Sequence, residues 1–465
     1  MIFLLSPFRA GAKSRKIIYI CLKDNPRKKI LKYPEMKNYN KYTIALGFAL
    51  ILLIATLVIL LTGNGSKTGP LLIAFFITLS YAVKGFQPTK GLSFTMWMFT
   101  AVTTAMFYPQ YFVSMGGFPL KSLIVPLLQI IMFGMGSQMS LDDFTGVIRM
   151  PKGVVIGVSA HYLVMPLMAF AITRVFNFPP EISAGIILVG CVPSGLASNV
   201  MSLLANANLA LAVTIGAVTT IISPFVTPFL MKVIGGQYVS VDVWKMMLDI
   251  INMMIFPIIA GFIFNLINGG KENSRSKALE LTSYLIIILL ANLIYMKVHK
   301  TGFGGYLIAS GKSLAIFYLL PVFAATLFRH FLKGDKALMK KILSLLSMVG
   351  IAIIVTVITA AGRNSLLQVG AVLLIMTVFH NIAGYALGYS AAWVFKMPEQ
   401  DRRTIAFEVG MPNAGLASGL ALAMGNIATI GLAPAIYGPL MNVTGSTLAS
   451  WWRSKPTEKG EERRA

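Results

Sequence analysis

Long apolar stretches, separated by short connectors carrying charge or Gly and Pro, dominate the pattern of this chain. Runs such as Ile44 to Leu61, Val154 to Ile172 and Leu366 to Val394 reach the roughly 20 residues that cross a bilayer. Helices are the expected form, because a helix satisfies its own backbone polar groups where no water is available. The pattern predicts them over residues 43–62, 70–85, 92–109, 120–138, 152–175, 182–206, 208–232, 244–268, 281–299, 313–332, 342–361, 366–395, 401–425 and 428–452. That makes about fourteen spans of an all-α polytopic membrane protein, with the lipid bilayer as its solvent.

Composition agrees. Of 465 residues, 56% are hydrophobic and 12% charged, against roughly 25% charged in soluble domains. The net charge of +24 points to no nucleic acid, because the basic residues crowd into short connectors and the two ends. Lys84 and Lys90, Arg149 and Lys152, Lys271 with Arg275 and Lys277, Lys333 with Lys336, Lys340 and Lys341, and Arg402 with Arg403 all fall on one side of the expected topology. The opposite connectors carry fewer, apart from three lysines in 297–312. By the positive-inside rule both termini are cytoplasmic and the expected location is the cell inner membrane. The basic segment 1–42 includes a stretch before Met36 that does not read as a signal peptide, and Met36 is the expected start. Cys21 and Cys191 have neither disulfide-framework nor zinc-site spacing.

An internal repeat changes the picture further. "HYLVMPLMAFAITRVFNFPP" from His161 and "HNIAGYALGYSAAWVFKMPE" from His380 stand 219 residues apart. The same interval relates Val175 to Val394, Phe176 to Phe395, Pro179 to Pro398 and Pro193 to Pro412. An odd number of spans separates the copies, so they run oppositely through the membrane, a construction used by many secondary transporters.

Each copy contains a helix that should break in the bilayer, over Cys191 to Ser198 and over Glu408 to Ala417. Pro removes a backbone donor and crowds the preceding turn, and Gly weakens the helix further. Freed carbonyls suit a cation and the N–H groups of the second half-helix suit an anion. Glu408, an acid beside the second break, marks an ion or proton path, the alternative being an interfacial position paired with Arg402 or Arg403. His161, His380, Asn381, Asn199 and Asn413 admit either ligand contact or plain interhelical hydrogen bonding.

At these residues the chain resembles the bile acid:sodium symporter family. The resemblance rests on "IIMFGMG" (Ile130 to Gly136), "ILVGC" through "ASNVM" (Ile187 to Met201), "NLALAV" (Asn208 to Val213), "HNIAGYALG" (His380 to Gly388) and "EVGMPNAGLA" (Glu408 to Ala417), and runs from about 92 to 452. It implies two inverted five-helix repeats, 92–232 and 244–452, with crossing discontinuous helices, a core domain and a panel domain. Two helical hairpins, 43–85 and 281–332, are additions to that plan, and 453–465 forms a charged tail.

The resemblance also implies an organic anion as substrate and sodium as coupling ion. The family's first sodium site falls on Ser198, Asn199 and Glu408, but two hydroxyl ligands fall on Ala212 and Gly216, which have no side-chain oxygen. Thr219 and Thr220 stand one turn further along. The second site retains Glu408 and the carbonyls of Val409 and Met411, with its glutamines replaced by His161 and Pro412. Sodium coupling and proton coupling through His161 and Glu408 both stay open on these residues. Gly195, Leu196 and Asn413 are the expected substrate contacts, Leu196 making the pocket less polar. No enzyme is expected: there is no HExxH, GxSxG or paired-aspartate motif. A non-transporting sensor on the same fold is a further alternative, and substrate identity and oligomeric state are not legible.

Overall fold

The computed structural model describes residues 39–86, 92–139, 146–268, 274–331 and 335–455. The segment before Met36, together with Lys90, Lys271, Lys333 and the tail from 456 onward, lies outside the described residues. The main helices are α1 (Tyr39–Leu61), α2 (Gly69–Ala82), α3 (Leu92–Phe107), α4 (Ile124–Gly136), α5 (Pro151–Val175), α6 (Pro180–Cys191), α7 (Leu196–Leu204) and α8 (Leu209–Ile234). They continue with α9 (Val243–Asn268), α10 (Ser274–His299), α11 (Phe303–Phe331), α12 (Lys336–Ala361), α13 (Arg363–Val394), α14 (Glu399–Gly410), α15 (Ala414–Ala423) and α16 (Leu432–Arg453). Among the described residues, 8 helices are long and apolar enough to cross a membrane.

Most boundaries follow the sequence pattern to within a few residues. The largest difference is at α11, which begins at Phe303 rather than near 313, leaving only Lys300 to Gly302 between it and α10. The lysines at 297 and 312 suggested a longer connector, yet both are helical. Lys297 lies in the last turn of α10, where a lysine can extend its charge toward water while its backbone stays in the helix, and Lys312, further into α11, has its side chain exposed.

Both predicted breaks are present. α6 stops at Cys191 and α7 starts at Leu196, while α14 stops at Gly410 and α15 starts at Ala414. The first half-helices start alike, with Pro180 as the first residue of α6 and Pro398 just before α14, positions where a missing N–H costs nothing. The second halves end alike too. Asn206 and Gly425 adopt φ of 54° and 89°, the left-handed conformation that turns the chain out of a helix.

Side chains tie the end of each broken helix to the start of the other. Beyond α7, the Asn208 amide donates to Asp401 of α14 at 2.8 Å, and Asn208 also caps α8 by accepting from the Leu211 N–H. Beyond α15, the Asn426 amide donates to Glu181 of α6 at 3.0 Å, joined there by the Thr429 hydroxyl. Arg403, buried within α14, reaches Glu399 as well as the carbonyls of Ala205 and Trp452.

Around this pair the apolar core is continuous. Leu128 of α4, Met165 of α5, Ile187 of α6, Leu211 and Ile215 of α8, Phe407 of α14 and Leu416 of α15 all belong to it. The hairpin α10–α11 packs separately on α9 through Phe256, Ile259, Ile263, Tyr284, Ile288 and Phe317. The hairpin α1–α2 rests on α3. Large apolar residues remain exposed along α1, where Ile44 is 70% exposed and Ile51 62%, as lipid-facing positions require.

Candidate functional site: the paired helix breaks

The interrupted segments meet. Ser194 and Pro412 form an isolated antiparallel bridge, with the Gly195 N–H donating to the Met411 carbonyl at 2.8 Å and the Asn413 N–H to the Pro193 carbonyl at 2.7 Å. Backbone groups left without helical partners at the two breaks therefore satisfy one another across the site. This matters because an unpaired buried backbone group costs about 1–3 kcal/mol or more.

Neighbouring helices occupy further carbonyls. Thr227 of α8 donates to the Cys191 carbonyl at 2.7 Å. Asn381 of α13 and Tyr437 of α16 both donate to the Gly410 carbonyl, at 2.7 and 3.2 Å, and Thr444 holds the Asn381 side-chain oxygen. His380 lies against the Met165 carbonyl at 3.0 Å, one residue before Pro166 within α5.

His161 is fully buried between the breaks, Nδ1 facing the Glu408 carbonyl and Nε2 the Val192 carbonyl, each at 2.9 Å. The expected meeting of His161 with Glu408 is thus with its main chain. The Glu408 carboxylate accepts from Ser194 instead.

Glu408 has no exposed surface. Its Oε2 accepts from the Ser194 hydroxyl at 2.6 Å, while its Oε1 has no partner among the described residues. Arg402 and Arg403 pair with Glu399 instead, at 4.0 and 2.8 Å. The Ser198 hydroxyl donates to the Gly195 carbonyl at 2.7 Å and its oxygen lies 3.3 Å from that of Ser194. Asn199 Oδ1, Ser202 Oγ and Thr220 Oγ1 are likewise buried without partners. These three and Glu408 Oε1 lie on α7, α8 and α14, which pack against one another.

On α8 the positions of the two missing hydroxyls are bare. Ala212 is fully buried, and a Cβ at Gly216 would lie 3.7 Å from Glu408 Oε2. Unpartnered oxygens on three helices that pack together, one of them a buried carboxylate oxygen, suit a monovalent cation, because a hard cation takes oxygen ligands and an isolated buried carboxylate is strongly disfavoured. Of the carbonyls expected to serve a second cation, that of Met411 already accepts the Gly195 N–H.

The half-helix N-termini differ. α15 is capped by Asn413, whose side-chain oxygen accepts from the Leu416 N–H at 3.0 Å. α7 begins at Gly195 with no side-chain cap, and Leu196, Ala197 and Asn199 are only partly buried. Among the described residues, the Asn413 amide nitrogen lies against the Met132 sulfur, at 4.0 Å. Sequence reasoning missed Ser194, Thr227 and Tyr437; for Ser194 a signal existed, a hydroxyl between Pro193 and Gly195 in the break itself.

Similarity to known proteins now bears on this geometry. The pattern of the Sodium Bile acid symporter family matches residues 125–304, a span that takes in the first break. An uncharacterized sodium-dependent transporter of Bacillus subtilis, YocS, is 31% identical over 370 residues, covering 79% of this chain and 93% of that protein. The chain belongs to the sodium bile acid symporter family. The rice chloroplast protein BASS1, a probable sodium/metabolite cotransporter, is 26% identical over 380 residues, covering 80% of this chain and 75% of its own. Overall likeness to a solved sodium proton antiporter, MjNhaP1 from Methanocaldococcus jannaschii, is slight, with a TM-score of 0.42 and 13% identity over 89% of this chain and 98% of that one. As a symporter-family member with many membrane-length apolar helices, the chain is an integral, multi-pass membrane protein.

Proposed function

We propose that this protein is a sodium-coupled secondary transporter of a small or amphipathic organic anion, with ion and substrate meeting at the paired breaks. The observation that carries the reading is Glu408, a fully buried carboxylate with one oxygen unpartnered among the described residues, on a helix packed against two others that carry unpartnered oxygens. Sodium held by Glu408, Ser198 and Asn199 supplies the positive charge that such a carboxylate needs. His161 holds its ring nitrogens 2.9 Å from the Glu408 and Val192 carbonyls, of which a neutral imidazole donates to one; its ring occupies the second ion position, where Val409 and Met411 contribute main chain, and coupling rests on the first.

The anion docks at the uncapped start of α7, against Gly195 and Leu196, with the Asn413 amide as a further donor. Leu196 favours a substrate with apolar surface beside its charge. The transporter consists of two inverted repeats, 92–232 and 244–452, with hairpins 43–85 and 281–332 added outside them. It alternates access by moving a core domain that carries the breaks against a panel domain. Its termini are cytoplasmic and its location is the inner membrane, supported by Lys84, Arg149, Lys152, Lys277, Lys341 and Arg402, which lie in the connectors or first turns that the sequence pattern puts on one side.

A thermal-shift screen of small carboxylates in sodium and in choline tests the reading. Ligands that bind the folded state raise its unfolding temperature, and coupled ligands strengthen each other reciprocally. Some carboxylate should stabilise the protein more in sodium than in choline. Stabilisation of equal size in both salts would contradict sodium coupling, and a carboxylate effect governed by pH alone would favour the proton.

A further inference from the structure

The missing hydroxyls at Ala212 and Gly216 leave a gap in the ion site that the fold itself closes. We infer that Ser194 and Thr220 complete a sodium site around Glu408, one hydroxyl coming from the first break and the other from the next turn of α8. The inference rests on the sodium reading above and names ligands that reading lacks.

Proton accounting carries the case for Ser194. Each serine hydroxyl has one hydrogen. That of Ser194 goes to Glu408 Oε2 at 2.6 Å and that of Ser198 to the Gly195 carbonyl at 2.7 Å. The two serine oxygens lie 3.3 Å apart, longer than an ordinary O–H···O bond of about 2.5–3.0 Å, and either hydroxyl could donate across that gap only by leaving its shorter bond. With both hydrogens on those shorter bonds, each oxygen keeps lone pairs free to ligate a cation between them. Oxygens bound about 2.3–2.6 Å from a hard cation and set at right angles lie about 3.3–3.7 Å apart, which matches the spacing found.

Thr220 is singled out by what its neighbours do. Thr219 spends its hydroxyl on the Gly216 carbonyl at 3.0 Å, whereas Thr220 Oγ1, on a residue only 3% exposed, has no partner. Thr220 stands one turn beyond Gly216, on the same face of α8. Gly216 has no side chain to intervene, and Glu408 Oε2 approaches that bare position to 3.7 Å from where a Cβ would sit. Glu408 Oε1 and Asn199 Oδ1 supply the remaining unpartnered oxygens. One carboxylate among neutral oxygens balances one monovalent charge, and a divalent ion would leave buried charge uncompensated.

The test is thermal unfolding of the purified full chain in detergent, titrated with sodium chloride against choline chloride at constant ionic strength. Wild type should be stabilised saturably by sodium. Ser194→Ala and Thr220→Val should each raise the half-saturating sodium concentration by ~10-fold or more. Ser223→Ala, which removes a hydroxyl bonded to the Thr220 carbonyl at 2.8 Å, should leave it unchanged.

Thr220→Val separates a ligand from a merely structural hydroxyl. It removes no hydrogen bond, so in choline the variant should unfold at or above the wild-type temperature, while its response to sodium weakens. If Ser194→Ala yields no cooperative unfolding, the Thr220→Val titration decides alone. A wild type indifferent to sodium would overturn the sodium reading and this site together. A responsive wild type matched by either variant would overturn this site only.

Discussion

At the first break the chain leaves α6 at Cys191 and resumes at Gly195 with no side-chain cap, beside partly exposed Leu196 and Ala197. At the second it leaves α14 at Gly410 and resumes under the Asn413 cap, with Ala414, Leu416, Ala417 and Ser418 buried. The two segments share a proline, a bridge and a matched pair of backbone hydrogen bonds, yet they carry different chemistry. The second break brings the carboxylate and a finished helix start. The first brings hydroxyls and an unfinished one. Equivalent backbones thus carry different groups, a buried carboxylate at one and an uncapped helix start at the other, which in the proposed transporter serve a cation and an anion.

Removing the charge should erase this contrast most completely. Glu408→Gln keeps the side chain's volume and should lower sodium-driven uptake by about 100-fold or more, the scale of losing a group that acts as a unit with its partners; uptake within a few-fold of wild type would show that the acid is not the coupling group.

Backbone approach at the breaks gives the next largest effect. A Cβ at Gly190 would sit 2.6 Å from the Met165 carbonyl oxygen, while one at Gly410 would meet the Tyr385 ring at 2.3 Å. A ring can turn and a carbonyl within a packed helix cannot follow it. Gly190→Ala should therefore cost the larger share of the roughly 1–3 kcal/mol of overpacking, read as the greater loss of unfolding temperature.

The caps sharpen the comparison on a finer scale. Asn413→Ala should cost about 1 kcal/mol by uncapping α15 and should also weaken anion binding, whereas Gly195→Ala removes no side-chain cap from α7. Smallest is the contrast between the end ties. The Asn208 tie to Asp401 is partly buried and Asn426 to Glu181 is exposed. Asn208→Ala should lower stability by about 1 kcal/mol and Asn426→Ala by about half that or less, measured by denaturant or thermal unfolding.

Much of this was legible in the sequence for physical reasons. A bilayer leaves a long apolar segment almost no choice but helix, so α5, α8 and α13 fall where hydropathy puts them. The breaks were legible because Pro and Gly act locally. Connector length at 300–302 was not, because lysine reads as a loop residue although its backbone is content in a helix.

Within the site, Glu408, Ser198 and Asn199 stood out by residue type and by resemblance. Ser194 did not, since a serine between Pro and Gly reads as a turn, and its role depends on a carboxylate 214 residues away in sequence. The orientation of His161 was equally hidden. The position matched in the family suggested the Glu408 side chain, 247 residues away in sequence, and only three-dimensional packing shows the carbonyl.

Uptake of a stabilising carboxylate into proteoliposomes under an imposed inward sodium gradient tests the central claim most directly. The account predicts accumulation above the external concentration with that gradient, and none with equal sodium on both sides. Equal accumulation without a sodium gradient, or accumulation driven by an inward proton gradient in sodium-free buffer, would contradict it.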